Sequence, residues 1–175
     1  MGATVNANIS ISTLSAQSQS DFTRTLADIF EHSPWIPERA WAARPFADVD
    51  QLHGAMLAVL DAASAEEQLG LIRNHPELAG KEAAEGTLTN ASTAEQRGAG
   101  LDQCSKEELQ RLRNLNAAYR ERFGFPFVIA VKGLSRYQIM DSVDARLKND
   151  RATEFKTCLR EIGKIGRFRL DALLA

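Results

Sequence analysis

Apolar positions recur at helical spacing through most of the chain. Phe22, Leu26, Ile29 and Phe30 share one helical face, with Ser20 or Asp21 able to cap its start and His32-Ser33-Pro34 ending it. A short turn or helix is expected before it, near Ser12. Pro34 or Pro37 suits the first turn of a short helix running to about Ala43, and its tryptophans, Trp35 and Trp41, are expected in the core. Asp48 caps a helix carrying Leu52, Met56, Val59 and Leu60 to about Ala62. Ser64 and Glu67 form a capping box that opens a helix through Leu69 and Ile72. Ser105 and Glu108 form another. The helix they start puts Leu112, Leu115, Asn116, Tyr119 and Phe123 on one side and ends at Gly124 as its C′ residue. Ser135 caps a helix to about Asn149, and a last long helix runs from about Ala152 to Leu174.

Two stretches break the periodicity. Residues 73–101 have no clean helical or strand period but concentrate ionisable side chains, small residues and breakers. A loop of that length inside a compact domain is functional or disordered, and we read it as an active-site loop. The second stretch, Phe125-Pro126-Phe127-Val128-Ile129-Ala130-Val131, is apolar and β-branched, and Pro126 forbids a regular helix through it. It is extended chain with no second strand to pair with. The sequence therefore predicts an all-α fold, a single compact domain over 10–175 with roughly seven or eight helices. Residues 1–9, small and polar without pattern, are expected to be disordered.

Composition narrows the function classes. With 175 residues the chain can bury a full core, and its 44% apolar and 25% charged fractions are ordinary for a globular protein. A net charge of −2 leaves no electrostatic footprint for nucleic acid or an anionic membrane. The two cysteines, Cys104 and Cys158, make no CxxC pair, which argues against a disulfide framework or zinc cluster and fits a reducing cytosol. No signal peptide or terminal targeting tripeptide is apparent, and no apolar run is long enough to span a bilayer.

Four features can carry chemistry. Of the three histidines, His32 and His53 read as ordinary surface or capping residues. His75 ends a helix and precedes Pro76, which biases its backbone away from the α region, and imidazole is the usual proton donor or acceptor near neutral pH. Its bland alternative is a hydrogen bond to a terminal carbonyl. Ser92-Thr93-Ala94-Glu95 is formally a capping box. Most such matches only start a helix, but a helix N-terminus also turns N–H groups toward a bound anion or carbonyl, with Glu95 beside it as base or hydrogen-bond partner. Arg169 falls within the apolar stripe Phe155, Leu159, Ile162, Gly166 and Leu173 of the last helix. A core-facing arginine needs a partner, which is either a structural acid or an anionic ligand. Finally, the backbone of Phe127, Val128, Ile129, Ala130 and Val131 can read the donor and acceptor edge of a small heterocycle, or can be a buried connector. No glycine-rich phosphate loop, metal-ligand cluster or nucleophile elbow is found, so no metal is expected.

Three motifs together identify a family. They are His75-Pro76-Glu77-Leu78-Ala79-Gly80, then Ser92-x-x-Glu95-Gln96-x-Gly98-Ala99-Gly100-Leu101, then Leu115-Asn116-x-x-Tyr119-x-x-Arg122-Phe123-Gly124-Phe125-Pro126-Phe127-Val128. With the closing Glu161-Ile162-x-Lys164-Ile165-x-x-x-Arg169-Leu170, they closely resemble the 2-oxo-4-hydroxy-4-carboxy-5-ureidoimidazoline (OHCU) decarboxylases. The resemblance runs from about Ser12 to Leu174. It implies an all-α, homodimeric, cofactor-independent enzyme of uric acid degradation that releases (S)-allantoin and CO2. It also implies His75 as catalytic proton donor with Glu95 and Arg169 as partners. Pro76, Ser92 to Gln96, and Phe127 to Val131 would bind substrate. The missing targeting tripeptide then points to a cytoplasmic, bacterial-type member. The rival reading is a non-catalytic helical module that binds a purine-breakdown ligand or dimerises. An aligned acid and base would serve such a module little.

Overall fold

A computed structural model describes residues 9–174, so the segment expected to be disordered lies, Ile9 apart, outside the described residues. Among the described residues there are ten α-helices and no strand. They are α1 (Ile11–Ala16), α2 (Gln19–Thr25), α3 (Trp35–Ala40), α4 (Val49–Ala62), α5 (Ala65–Asn74), α6 (Lys81–Glu85), α7 (Asn90–Gly98), α8 (Lys106–Phe123), α9 (Arg136–Arg146) and α10 (Arg151–Leu174). The all-α expectation holds, with more and shorter helices than periodicity predicted. None of the helices is long and apolar enough to cross a membrane.

Local chemistry explains most boundaries. Asp48 caps α4 by accepting from the Gln51 N–H at 2.9 Å. Ser64 and Glu67, Ser105 and Glu108, and Ser135 and Gln138 each form a reciprocal capping box. Gly124 ends α8 at φ 81°, where a side chain would be strained. Ser18, rather than Ser20 or Asp21, caps α2, its hydroxyl accepting from the Asp21 N–H. The indoles are half-buried, not core. Trp41 Nε1 donates to the Gln17 carbonyl at 3.0 Å, and the Arg44 guanidinium covers its ring. An amphipathic ring with one donor is better satisfied at such a boundary than in an apolar core.

The largest difference falls in 73–101. This stretch is not one long loop: it holds the short helix α6 and the nine-residue helix α7. Its polar residues gave weak hydrophobic periodicity, which hid the helices.

The described residues gather into two compact units, a division that no change in composition announces. The first takes the residues up to Ala63 together with those from Gly166 onward, and the second is Ser64–Ile165. In the first unit, α3 packs against α2 and α4 around Phe22, Leu26, Ile36, Leu52, Met56 and Leu60, all fully buried. Gly166 belongs to this core because a Cβ there would stand 3.0 Å from the Phe30 ring. In the second unit, Tyr119 is the hub of an aromatic cluster. The Phe123, Phe125 and Phe127 rings lie 4.6, 6.1 and 5.3 Å from it, mostly tilted or edge-on, as ring quadrupoles prefer.

Candidate active site

His75 is the C-terminal cap of α5. Its backbone is extended (φ −71°, ψ 129°), as the following Pro76 requires, and its N–H donates to the Ile72 carbonyl. The side chain is nevertheless buried, with the residue only 7% exposed. Pro76 is half-buried beside it. His75 lines a cleft of about 370 Å³ together with Glu77, Arg120, Phe125 and Pro126, within the range of small-molecule sites. Arg120 pairs with Glu77 across this cleft, and the Arg73 guanidinium donates to the Gly124 carbonyl.

The chain after His75 is held by two side chains from distant helices. Ala79 adopts φ 50°, a left-handed conformation unfavourable for a residue with a Cβ. Its N–H donates to Gln96 Oε1 of α7 at 2.9 Å. The preceding carbonyl, of Leu78, accepts from Asn116 Nδ2 of α8 at 3.0 Å. Both amides are buried, so these hydrogen bonds act in a low-dielectric setting where an unmade bond is expensive. The strained turn persists because Gln96 and Asn116 fix it from two sides.

On α7 the buried Ser92 and Gln96 share a face with the half-buried Glu95. Ser92 is not the cap of this helix. Thr89 caps it, its hydroxyl accepting from the Ser92 N–H at 3.2 Å, so α7 begins one turn earlier than the Ser92–Glu95 box implied. The reason is local competition: Thr89 has the same capping chemistry and lies three residues upstream. Ser92 and Glu95 therefore project from the first turns of a formed helix.

The segment 126–131 follows α8 as irregular extended chain. Phe127, Val128 and Val131 are buried, while Ile129 and Ala130 are half-buried. Its start, Pro126, shares the His75 cleft.

Arg169 belongs to the other unit, on the part of α10 after Gly166. It is 8% exposed. Its Nη2 donates to Glu31 Oε1 and its Nη1 to the Asp28 carbonyl, each at 3.0 Å. Both features that sequence reasoning weighed for it, burial and an acidic partner, are present. Glu31 itself escaped notice. A core-facing arginine signals that an acid exists, but an acid 138 positions away has no sequence mark.

In the first part of α10 the buried face is turned by about one residue from the predicted stripe, whose Ile162, Gly166 and Arg169 are buried as expected. Glu154, Cys158, Ile162 and Ile165 are inward, while Phe155 and Leu159 are only half-buried. Glu154 is fully buried because it is saturated. Its Oε1 accepts from Tyr119 Oη at 2.6 Å and Arg146 Nε at 2.7 Å, and its Oε2 from Asn149 Nδ2 at 2.9 Å. Burial pushes the Tyr119 hydroxyl well above its ordinary value and raises the Cys158 thiol as well. Both therefore stay neutral. Among the described residues no three His, Cys, Asp or Glu side chains form a group that could hold a metal ion.

Comparison with known proteins places the chain in a family. The OHCU decarboxylase family model matches residues 15–171. The chain belongs to the OHCU decarboxylase family. It is 43% identical to 2-oxo-4-hydroxy-4-carboxy-5-ureidoimidazoline decarboxylase of Haloferax volcanii, over 85% of this chain and 86% of that one. It is 44% identical to the uric acid degradation bifunctional protein PucL of Bacillus subtilis over 87% of its own length. That match spans only 30% of the bifunctional protein, so the chain corresponds to less than a third of that relative. The fold matches a crystal structure of OHCU decarboxylase in the presence of (S)-allantoin with a TM-score of 0.69, over 86% of this chain and 97% of that one, at 18% identity. Family members thus keep the helical scaffold even where few residues are shared.

Proposed function

We propose that this chain is a carboxy-lyase that converts OHCU to (S)-allantoin and CO2 in uric acid degradation, without a cofactor. The observation that carries this reading is His75, a buried imidazole on proline-restricted backbone, in a chain matching the family across 15–171. The relative from Haloferax volcanii bears this activity in its name.

The chemistry asks for one acid delivered to one face. Cleaving the C–C bond to the carboxylate releases CO2 and leaves the electron pair on the former carboxyl-bearing carbon. The conjugated imine and carbonyl system of the substrate accepts that pair as an enolate-like intermediate. To reach allantoin, the hydroxyl on the former carboxyl-bearing carbon loses its proton and becomes a carbonyl, while a proton is added stereospecifically to the neighbouring ureido-bearing carbon. His75 is the proposed donor, and positioned general-acid catalysis of this kind contributes about 10²–10⁴-fold. Glu95 is proposed to orient or recharge His75, or to take the proton of the substrate hydroxyl. Arg169 is proposed to stabilise a carbonyl or ureido oxygen on which negative charge grows, since tight pairing with the departing carboxylate would stabilise the ground state as well.

Pro76, Ser92, Glu95 and Gln96 are proposed to bind substrate, together with the backbone of Phe127, Val128, Ile129, Ala130 and Val131. With Gln96 Oε1 taken by the Ala79 N–H, Gln96 offers a substrate its Nε2 donor. A homodimer and a cytoplasmic setting complete the proposal, as the family resemblance implies; sedimentation velocity checks the first.

The deciding experiment generates OHCU in situ from urate and follows circular dichroism. Fast appearance of one allantoin enantiomer, lost in His75→Ala, is expected. Slow decay to racemic product in the presence of the wild-type protein would refute the reading.

A further inference from the structure

The segment 127–131 poses a physical problem. It is extended chain without a sheet, so its backbone must find partners elsewhere. The Val131 carbonyl accepts from the Leu134 N–H at 2.9 Å. The Val128 carbonyl accepts from Arg146 Nη1 of α9 at 2.7 Å. The same guanidinium lies over the Phe127 ring, 4.3 Å from its centroid. By contrast, no hydrogen bond to the backbone of Ile129 or Ala130 is found among the described residues, and both are half-buried.

Arg146 is itself immobilised. Its side chain is 11% exposed, and its Nε donates to the fully buried Glu154. Tyr119 and Asn149 fix that carboxylate from two further directions. Burying an arginine–glutamate pair gives little net stability, because desolvation offsets most of the attraction. What such a pair supplies is a fixed direction. A planar guanidinium can hold an acid with one edge, a carbonyl with another and an aromatic ring with its face.

We propose that Arg146 is a positioning residue of the active site. It fixes Phe127 and Val128 so that the backbone groups of Ile129 and Ala130 are presented to the substrate. The inference rests on the reading of 127–131 as a substrate-binding segment. It divides that segment into an anchored part, Phe127 and Val128, and a reading part, Ile129 and Ala130.

The test compares wild type with Arg146→Lys, which keeps the charge beside Glu154 but cannot also span to the Val128 carbonyl. Two readouts are taken: OHCU turnover, and amide hydrogen exchange of the peptide covering 125–131. Loss of the clamp is expected to speed exchange in that peptide and to raise KM about tenfold, with kcat within about threefold, because uniform binding is what weakens. A folded Arg146→Lys with unchanged KM and unchanged exchange at 125–131 overturns the proposal, even if its melting temperature falls. Should that variant not fold, Arg146→Met combined with Glu154→Gln removes both charges together, avoids a lone buried carboxylate and is read the same way. If the wild-type protein does not turn over OHCU, the functional reading fails separately, and the exchange comparison still decides whether Arg146 holds the segment.

Discussion

Replacing Gln96 by alanine isolates the clasp on the turn that follows His75. In the wild-type protein Gln96 Oε1 accepts the Ala79 N–H at 2.9 Å, and both residues are at least nine-tenths buried. Truncation leaves that N–H without an acceptor, which costs about 1–3 kcal/mol. Ala79 meanwhile remains at φ 50°, a conformation about 1–2 kcal/mol unfavourable for a residue with a Cβ. The strain that the clasp opposes then favours relaxation of the turn. Taking about 2 kcal/mol as the central loss, the native turn is disfavoured roughly thirtyfold relative to its alternatives. The melting temperature should fall by about 4–8 °C, if a chain of this size loses about 2–4 °C per kcal/mol. The same relaxation displaces the backbone that carries His75, so kcat should fall along with stability. Calorimetry and the in situ OHCU assay, run on one preparation, measure both. Adding Ala79→Gly to the Gln96→Ala background should recover part of the stability, since glycine adopts positive φ without penalty. A Gln96→Ala protein that melts within about 1 °C of wild type and differs only in KM would refute the clasp, because at this size the smallest expected loss exceeds that shift.

Three further outcomes are expected. Arg169→Ala should retain substrate binding but lose turnover; a rise in KM with kcat intact would mean that Arg169 serves ground-state binding only. Gly166→Val forces a branched side chain against the buried Phe30 ring, 3.0 Å from the position of its Cβ, and should destabilise by about 1–3 kcal/mol in urea denaturation; equal or greater stability would mean that the ring yields freely. Glu108 is held down to about 2 from 4.5, chiefly by its hydrogen bond from Arg136 and then by the Ser105 N–H. A carboxylate with a depressed folded-state value stabilises above its unfolded value and loses that contribution as pH falls through the folded one. The stability gap between wild type and Glu108→Gln should therefore be full above pH 4.5 and close toward about pH 2; a gap independent of pH over that window contradicts the assignment.

How much of the protein was legible in its sequence depended on the range of the interaction involved. Asp48, Ser64, Ser105 and Ser135 announced their helices because a cap and the N–H it satisfies lie within three residues of each other. Gly124 announced the end of α8, and Pro76 the extended backbone of His75, for the same local reason. Thr89 shows the margin of error: two capping residues competed within one turn, and the upstream one prevailed. Burial of charge belonged to the tertiary structure. Hydropathy counts Glu154, Arg146 and Glu31 as surface residues whatever they meet, and their partners arrive from other helices. The buried face of α10 could be set only once Tyr119, Arg146 and Asn149 had saturated Glu154. The grip of Gln96 and Asn116 on the turn after His75, and of Arg146 on Val128, likewise joins segments far apart in the chain. The sequence alone determined where the capped, strongly periodic helices begin and where His75 ends one, since those choices are local, while α6 and α7 carried too weak a pattern to show. Only the tertiary structure decided which charged and polar side chains are inside, because burying them requires partners that folding alone brings within reach.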